Sequence, residues 1–314
     1  MALARRDAAV RAVLGVGTFF PPVPAMAAAI PELPERSLPR AQRSAGTARI
    51  AFKRRGEKTV IDDLFQSGCM KARFPRSFGD AAEAVLINTS GGLTGGDQIG
   101  SEVTWGEGTV ASVTSQAAER VYKASADVAN VETRLTVADD ALGLWLPQET
   151  IFFDGGAIRR TTQADVAEGG RLLATESLVF GRRAMGEVVE IGLVSDGWRI
   201  RFAGKLVFAD RFAIDGPIGA TLRRPAIAGG ARSIATLLYV GADAEARLAT
   251  WRELTAGLSS NAACSRIGPV LVTRIVGDTG DQLRRDLQFL LTEVLASFAD
   301  SGAGGLGLPR VWAC

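Results

Sequence analysis

The 314-residue chain contains no histidine, and that absence removes much of ordinary enzyme chemistry. No Ser-His-Asp or Cys-His pair can form, no imidazole serves as a general base, and no metal is held by histidine. Cysteine is scarce too: Cys69, Cys264 and Cys314 lie far apart and make no CxxC pair. An odd, scattered set fits free thiols in a reducing compartment, so a cytoplasmic protein without a disulfide framework is expected. Neither sign of charge dominates, with 36 basic residues against 34 acidic ones and a net of +2. A protein held to nucleic acid by phosphate contacts carries a strong basic surplus, so that class is set aside. Lysine occurs only at Lys53, Lys58, Lys71, Lys123 and Lys205, and tyrosine only at Tyr122 and Tyr239. The resulting arginine bias fits GC-rich codons as well as interface use. Beyond residue 30 no apolar run reaches membrane-spanning length.

Hydrophobic residues, by contrast, make up 47% of the chain, enough for a large core or a large partner surface. Residues 1–45 are expected to be a disordered extension or translation from an upstream start codon. Its basic start and apolar run, with Ala25-Met26-Ala27, also fit an export signal, against which stand Asp7, Pro21, Pro22 and Pro24. Residues 46–230 show mostly period-two patterning. Val131, Thr133, Leu135 and Val137 alternate with charged or hydroxyl residues, as do Trp198, Ile200 and Phe202. Further strands are expected at 47–53, 57–65, 84–88, 101–105, 109–115, 142–147, 171–180 and 205–212. Ser195-Asp196-Gly197 reads as a hairpin turn after a strand at 188–194. The expected fold is mainly β, with many short antiparallel strands in this body. Residues 231–314 read as a smaller α/β part with strands at 234–240 and 270–275. One helix spans 242–258, and a second starts at the capping box Thr279-Gly280-Asp281-Gln282. A glycine link then leads to a Leu-Pro-Arg-Val-Trp tail expected to dock through Trp312. No internal repeat of fixed period is visible.

The densest motif is residues 86–99, where Gly91-Gly92 and Gly95-Gly96 precede Asp97. Phosphate cradles need a following Lys-Ser/Thr and a helix, and neither is present, so a nucleotide site is excluded. The block reads either as a plain hairpin loop or as a loop that presents Asp97. Residues 114–125, with Glu119, Arg120, Tyr122 and Lys123, read as a solvated polar turn. Glu149 and Asp154 flank a buried Ile-Phe-Phe. Glu176 stands out because it lies in the apolar strand 172–180, where a carboxylate must be paired, metal-bound or reached by water. Arg182 or Arg183 is the expected partner. A glycan hydrolase using Asp97 and Glu176 as acid and base is a competing class, but two tyrosines leave no aromatic rows for a sugar groove.

Six segments in order resemble the urease accessory protein family UreD, also called UreH: QSGCMKARFPR (66–76), NTSGGLTGGDQI (88–99), TSQAAERVYKA (114–124), LPQETIFFDGG (146–156), FGRRAMGE (180–187) and LPRVW (308–312). The resemblance covers residues 46–314. It departs from the family pattern in having Arg120 where lysine is frequent, and in lacking histidine altogether. The resemblance implies a non-enzymatic maturation factor that binds apo-urease and the accessory protein UreF. Through UreF it would reach the GTPase UreG. It also implies a β-helix-like stack of strands with a small helical C-terminal part, and an internal carboxylate-lined channel. No permanently bound cofactor is implied, only Ni(II) in transit past Asp97 and Glu176, with Glu149 and Glu187 as second choices. Nickel accepts carboxylate oxygen, and a conduit must release what it binds. Arg182, Tyr122 and Trp312 are the expected partner-contact or ion-pairing residues. A scaffold that opens apo-urease without carrying metal is the alternative role.

Overall fold

A computed structural model describes residues 43–76, 80–182, 185–299 and 306–313. The expected extension over 1–45 therefore lies outside the described residues as far as residue 42, and Arg43 and Ser44 lead directly into the first strand. The body is two facing sheets. The first has seven strands: β1 (Ala45–Arg55), β2 (Lys58–Gly68), β5 (Gln98–Trp105), β8 (Ala129–Val137), β11 (Ala157–Val166), β13 (Gly192–Phe202) and β14 (Lys205–Gly216). The second contains β3 (Met70–Arg73), β4 (Ala82–Asn88), β6 (Val110–Ser115), β9 (Leu142–Leu146), β12 (Arg171–Phe180), β15 (Ser233–Val240), β16 (Asn261–Ile267) and β17 (Val270–Gly277). Two short strands, β7 (Glu119–Val121) and β10 (Thr150–Phe152), extend it beside β12.

From β4 to β13 the chain passes back and forth between the two sheets, so this part winds as a solenoid. β1, β5, β8, β11 and β13 are parallel neighbours in the first sheet. β4, β6, β9 and β12 are parallel neighbours in the second. This corrects the antiparallel reading of the body. Short loops such as Gly106–Thr109 join strands of different sheets, and parallel neighbours are reached only after a full coil. Antiparallel pairing is confined to the ends: β1 with β2, β3 with β4, β13 with β14, and β12, β15, β17 and β16 in series. The β-helix-like stack and the mainly β class are both present.

The two sheets differ in what covers them. β8 and β11 alternate buried and exposed positions, since the outer face of the first sheet meets solvent. β9 and β12 are buried on both faces, because α2 (Ala244–Ala256) and α3 (Gly280–Ala299) pack against the outside of the second sheet. Leu287, Leu291 and Phe298 of α3 meet Leu144, Leu173 and Tyr239 there. Half of the capping box forms: Gln282 N–H donates to Thr279 Oγ1 at 3.1 Å, while Gln282 Oε1 accepts from Asp278 N–H at 3.1 Å, one residue before the cap. A five-residue helix, α1 (Ile218–Leu222), was not expected. Ser195-Asp196-Gly197 lies inside β13 and is no turn, and residues 188–191 precede that strand. Asp196 and Gly197 look like turn chemistry in sequence, yet ladder bonds to β11 and β14 hold both extended. Strands β7, β11 and β16 were missed, whereas the apolar stretch that Glu149 and Asp154 were expected to flank holds β10. β7 is three residues long, too short to show a period.

Candidate functional site

The glycine loop is closed by the carboxylate it was expected to present. Asp97 is buried, with Oδ1 accepting from Ser44 N–H at 2.7 Å and Oδ2 from Thr94 N–H at 2.8 Å. Its own carbonyl accepts from Asn130 N–H, in the next coil, at 2.8 Å. Asp97 thus ties the entry to β1, the loop and β8 together. Two glycines make room for this. A Cβ at Gly95 would meet the Ala126 carbonyl at 2.0 Å, and Gly92 sits at φ +146° against the Tyr122 ring. Asp97→Ala strands two half-buried N–H donors and is expected to cost about 1–2 kcal/mol of unfolding free energy. A urea midpoint equal to the wild type would refute this role.

Four of the six motifs stack on one side of the solenoid. Leu93 bridges to Val121, Val121 pairs with Phe152, and Phe152 pairs with Phe180 in a parallel ladder, one residue per coil. Segment 114–125 is therefore part of the ladder and not a free polar turn. Beside the ladder, Tyr122 meets Phe153 edge-on at 5.1 Å, and the Arg182 guanidinium lies 4.2 Å from the Phe153 ring centre. Tyr122 O–H donates to the Gly91 carbonyl at 3.3 Å. Arg182 pairs with Glu187 at 2.8 Å rather than with Glu176, because the turn after β12 carries it out to the surface. Arg183 lies outside the described residues. Asp154 accepts from the N–H groups of Glu190 and Ile191, and those bonds hold its carboxyl below the ordinary range. Met185, Val188 and Ile191 are exposed on this segment. Glu149 pairs with Arg284 of α3 at 2.9 Å.

Glu176 points inward, and its partner is Arg160 of β11. Arg160 Nη1 lies 2.6 Å from Glu176 Oε2 and donates to Thr150 Oγ1 at 3.1 Å. Arg160 Nε and Nη2 donate to the two oxygens of Asp196 at 3.0 and 2.7 Å, a bidentate pair. Trp145 Nε1 donates to Glu176 Oε1 at 3.0 Å. The three charged side chains are 7%, 4% and 10% exposed, and together they carry one net negative charge. Burial pushes the Glu176 carboxyl up, to about 6, and the nearby Asp196 adds to this; Arg160 and the Trp145 bond oppose it.

Two cavities meet at this triad. The first, of about 100 Å³, runs inside the coils from Met70, Asn88 and Glu119 to Arg160 and Glu176. The second, of about 270 Å³, is lined by Glu176, Asp196, Asp210, Arg211 and Arg274. Glu119 stands at the far end of the first cavity and accepts from Asn88 Nδ2 at 3.1 Å. Burial raises its carboxyl above the ordinary range, offset in part by the Asn88 bond. Arg160, Asp196 and Glu119 were all missed as interior residues, and Asp210 as a half-buried one at the mouth of the second cavity. Arg160 had a signal: it shares the inward phase of Ile158, Ala164 and Val166 in β11. Among the described residues no three of His, Cys, Asp and Glu gather into a metal cage. Cys69 is half-buried and Cys264 buried, both as free thiols, while Cys314 lies outside the described residues. Among those residues no helix is long and apolar enough to cross a membrane.

Comparison with known proteins places this architecture. The family model described as "UreD urease accessory protein" matches residues 44–313. The chain is 44% identical over 276 residues to the urease accessory protein UreD of Sinorhizobium medicae, covering 86% of this chain and 96% of the relative. It is 43% identical over 283 residues to that of Mesorhizobium japonicum, covering 90% and 98%. To that of Agrobacterium fabrum it is 41% identical over 273 residues, covering 87% and 92%.

Proposed function

The chain belongs to the UreD urease accessory protein family, and from that premise we propose that it is a non-catalytic scaffold that binds apo-urease in the cytoplasm and passes nickel toward the urease active site. The ladder side, where four motif segments converge, is the surface offered to partners: apo-urease, and a UreF-like protein that brings the UreG-like GTPase. The observation that supports passage is the line of carboxylates along the two cavities. Glu119 and Glu176 line one cavity, and Glu176, Asp196 and Asp210 line the next. Sparse oxygen donors of this kind hold nickel weakly enough to release it. Asp97 is left off the proposed path because it lines neither cavity and each of its oxygens already accepts a backbone N–H. Glu149 and Glu187, half-buried and each paired with an arginine near the ladder, line neither cavity and are second choices outside that path.

The experiment is recovery of urease from cells expressing the urease operon, with nickel measured in the recovered enzyme. Glu176→Gln is expected to lower nickel loading about tenfold while UreF and urease subunits still co-purify. Normal loading by that variant would overturn the passage. It would leave the scaffold that opens apo-urease without carrying metal.

A further inference from the structure

Resting on the reading of the interior as a cation route, the geometry points to Arg160 as its gate. We propose that Glu176 and Asp196 form a cation station, occupied at rest by the Arg160 guanidinium, and that a divalent cation in transit takes the guanidinium's place. Three observations carry this. The first is position. Arg160 lines one cavity, Asp196 lines the other and Glu176 lines both, so the ion pairs stand where the cavities meet. The side chains come from opposite sheets, Arg160 and Asp196 from β11 and β13 and Glu176 from β12, so the contact spans the interior.

The second is charge. Two buried carboxylates around one guanidinium keep a net charge of −1, which a single positive charge leaves uncompensated. A divalent cation neutralises both, so exchange is electrostatically favoured at the carboxylates. What opposes it is the loss of four charge-assisted contacts from Arg160, together with dehydration of the incoming ion. The balance lets the guanidinium return once the ion moves on.

The third is the surroundings. Thr162 and Trp198 follow Arg160 and Asp196 by two residues on the same inward faces and are cross-strand partners. Both are buried, and neither Thr162 Oγ1 nor Trp198 Nε1 has a hydrogen-bond partner. Buried polar atoms are ordinarily satisfied, so this pair leaves two unused polar groups one step along the strands from the ion pairs, behind the walls of the two cavities. Toward the second cavity the arrangement repeats. Glu176, Thr236 and Arg274 are successive cross-strand partners, and Arg274 bonds to both Thr236 and Asp210 at the partly exposed mouth. Glu176, Asp196 and Asp210 are thus each held by an arginine.

The test is equilibrium dialysis of the purified full chain against Ni(II), which needs no urease. Arg160→Met is expected to retain one nickel per chain more than the wild type, and Arg160→Met with Glu176→Gln is expected to lose it. Arg160→Lys keeps a positive charge but not the planar fork that holds both carboxylates, and guards against a methionine variant that does not fold. It is expected to bind the same nickel more weakly, again only while Glu176 is present. Absence of Glu176-dependent binding in the folded variants overturns the gate. A Glu176-dependent site combined with normal urease loading by Glu176→Gln would uphold the station and overturn the route.

Discussion

Arg160→Met is expected to lower the unfolding free energy by about 3–5 kcal/mol at pH 8, read as a shift in the urea midpoint. The side chain is 7% exposed and serves Glu176, Asp196 and Thr150 at once. Methionine fills much of the same volume but leaves two buried carboxylates facing one another with no cation between them. Glu176→Gln is the contrasting case. It leaves the bidentate Arg160–Asp196 pair intact and keeps an acceptor for Trp145, so its cost is expected to be well under half as large. The two variants therefore separate loss of the shared cation from loss of one anion. The deficit also depends on pH in a fixed direction. The Glu176 carboxyl is already raised from 4.5 to about 6 in the folded protein, and without Arg160 its main opposing influence is gone. An acid raised on folding binds its proton more tightly in the folded state, so its penalty is absent below the unfolded value. That penalty grows as pH rises through the folded value. The gap between variant and wild type should then narrow between pH 8 and pH 5. A gap of constant size would show that the pair does not govern this part of the interior.

Strand positions were legible where apolar and polar residues alternate in the sequence itself, as in β8 and the Trp198–Phe202 end of β13, while β11, whose buried face carries Arg160 and Thr162, was missed. Strand direction was not legible. Alternation is the same for parallel and antiparallel neighbours, and the two are told apart only by which strands a loop joins. Aligned positions fall at Trp105, Val137, Val166 and Phe202 in successive coils, at unequal spacing, so no fixed repeat announces the solenoid. Glu176 could be singled out because a carboxylate in so apolar a strand demands a partner. Its partner could not, because Arg160 is sixteen residues earlier and in the other sheet, a contact made only by closure of the interior. Nearness in sequence favoured Arg182, which the turn at Gly181 instead carries onto the Phe153 ring. Asp97 was visible as the end of a glycine loop, but the two donors that occupy it come from backbone geometry that no side-chain pattern encodes.

Trp312→Ala is expected to cost about 3–5 kcal/mol, the range for removing a fully buried large aromatic. The ring is 1% exposed and packs in the cluster between the second sheet and its helices. Its Nε1 donates to the Leu146 carbonyl at 3.1 Å, closing the end of β9, where the ladder of that sheet stops. Arg284 sits over the ring at 5.5 Å and donates to the Trp312 carbonyl at 2.9 Å, while Gln288 donates to that same carbonyl. Gln148 reaches back to the Val311 carbonyl at 3.2 Å. The tail is thus bound to the segment Leu146–Glu149, whose Glu149 shares Arg284 with it. Trp312→Phe separates the contributions. It keeps most of the packing but removes the donor to Leu146, and is expected to cost about 1–2 kcal/mol. If alanine costs no more than phenylalanine, the ring's packing contributes little and the tail is held by its backbone carbonyls alone. If the larger loss is found, the C-terminal motif is part of the core that orders the Gln148–Glu149 corner beside the ladder. A partner surface resting on that corner would then weaken with the tail, so co-purification of urease subunits with Trp312→Ala should fall further than with Trp312→Phe.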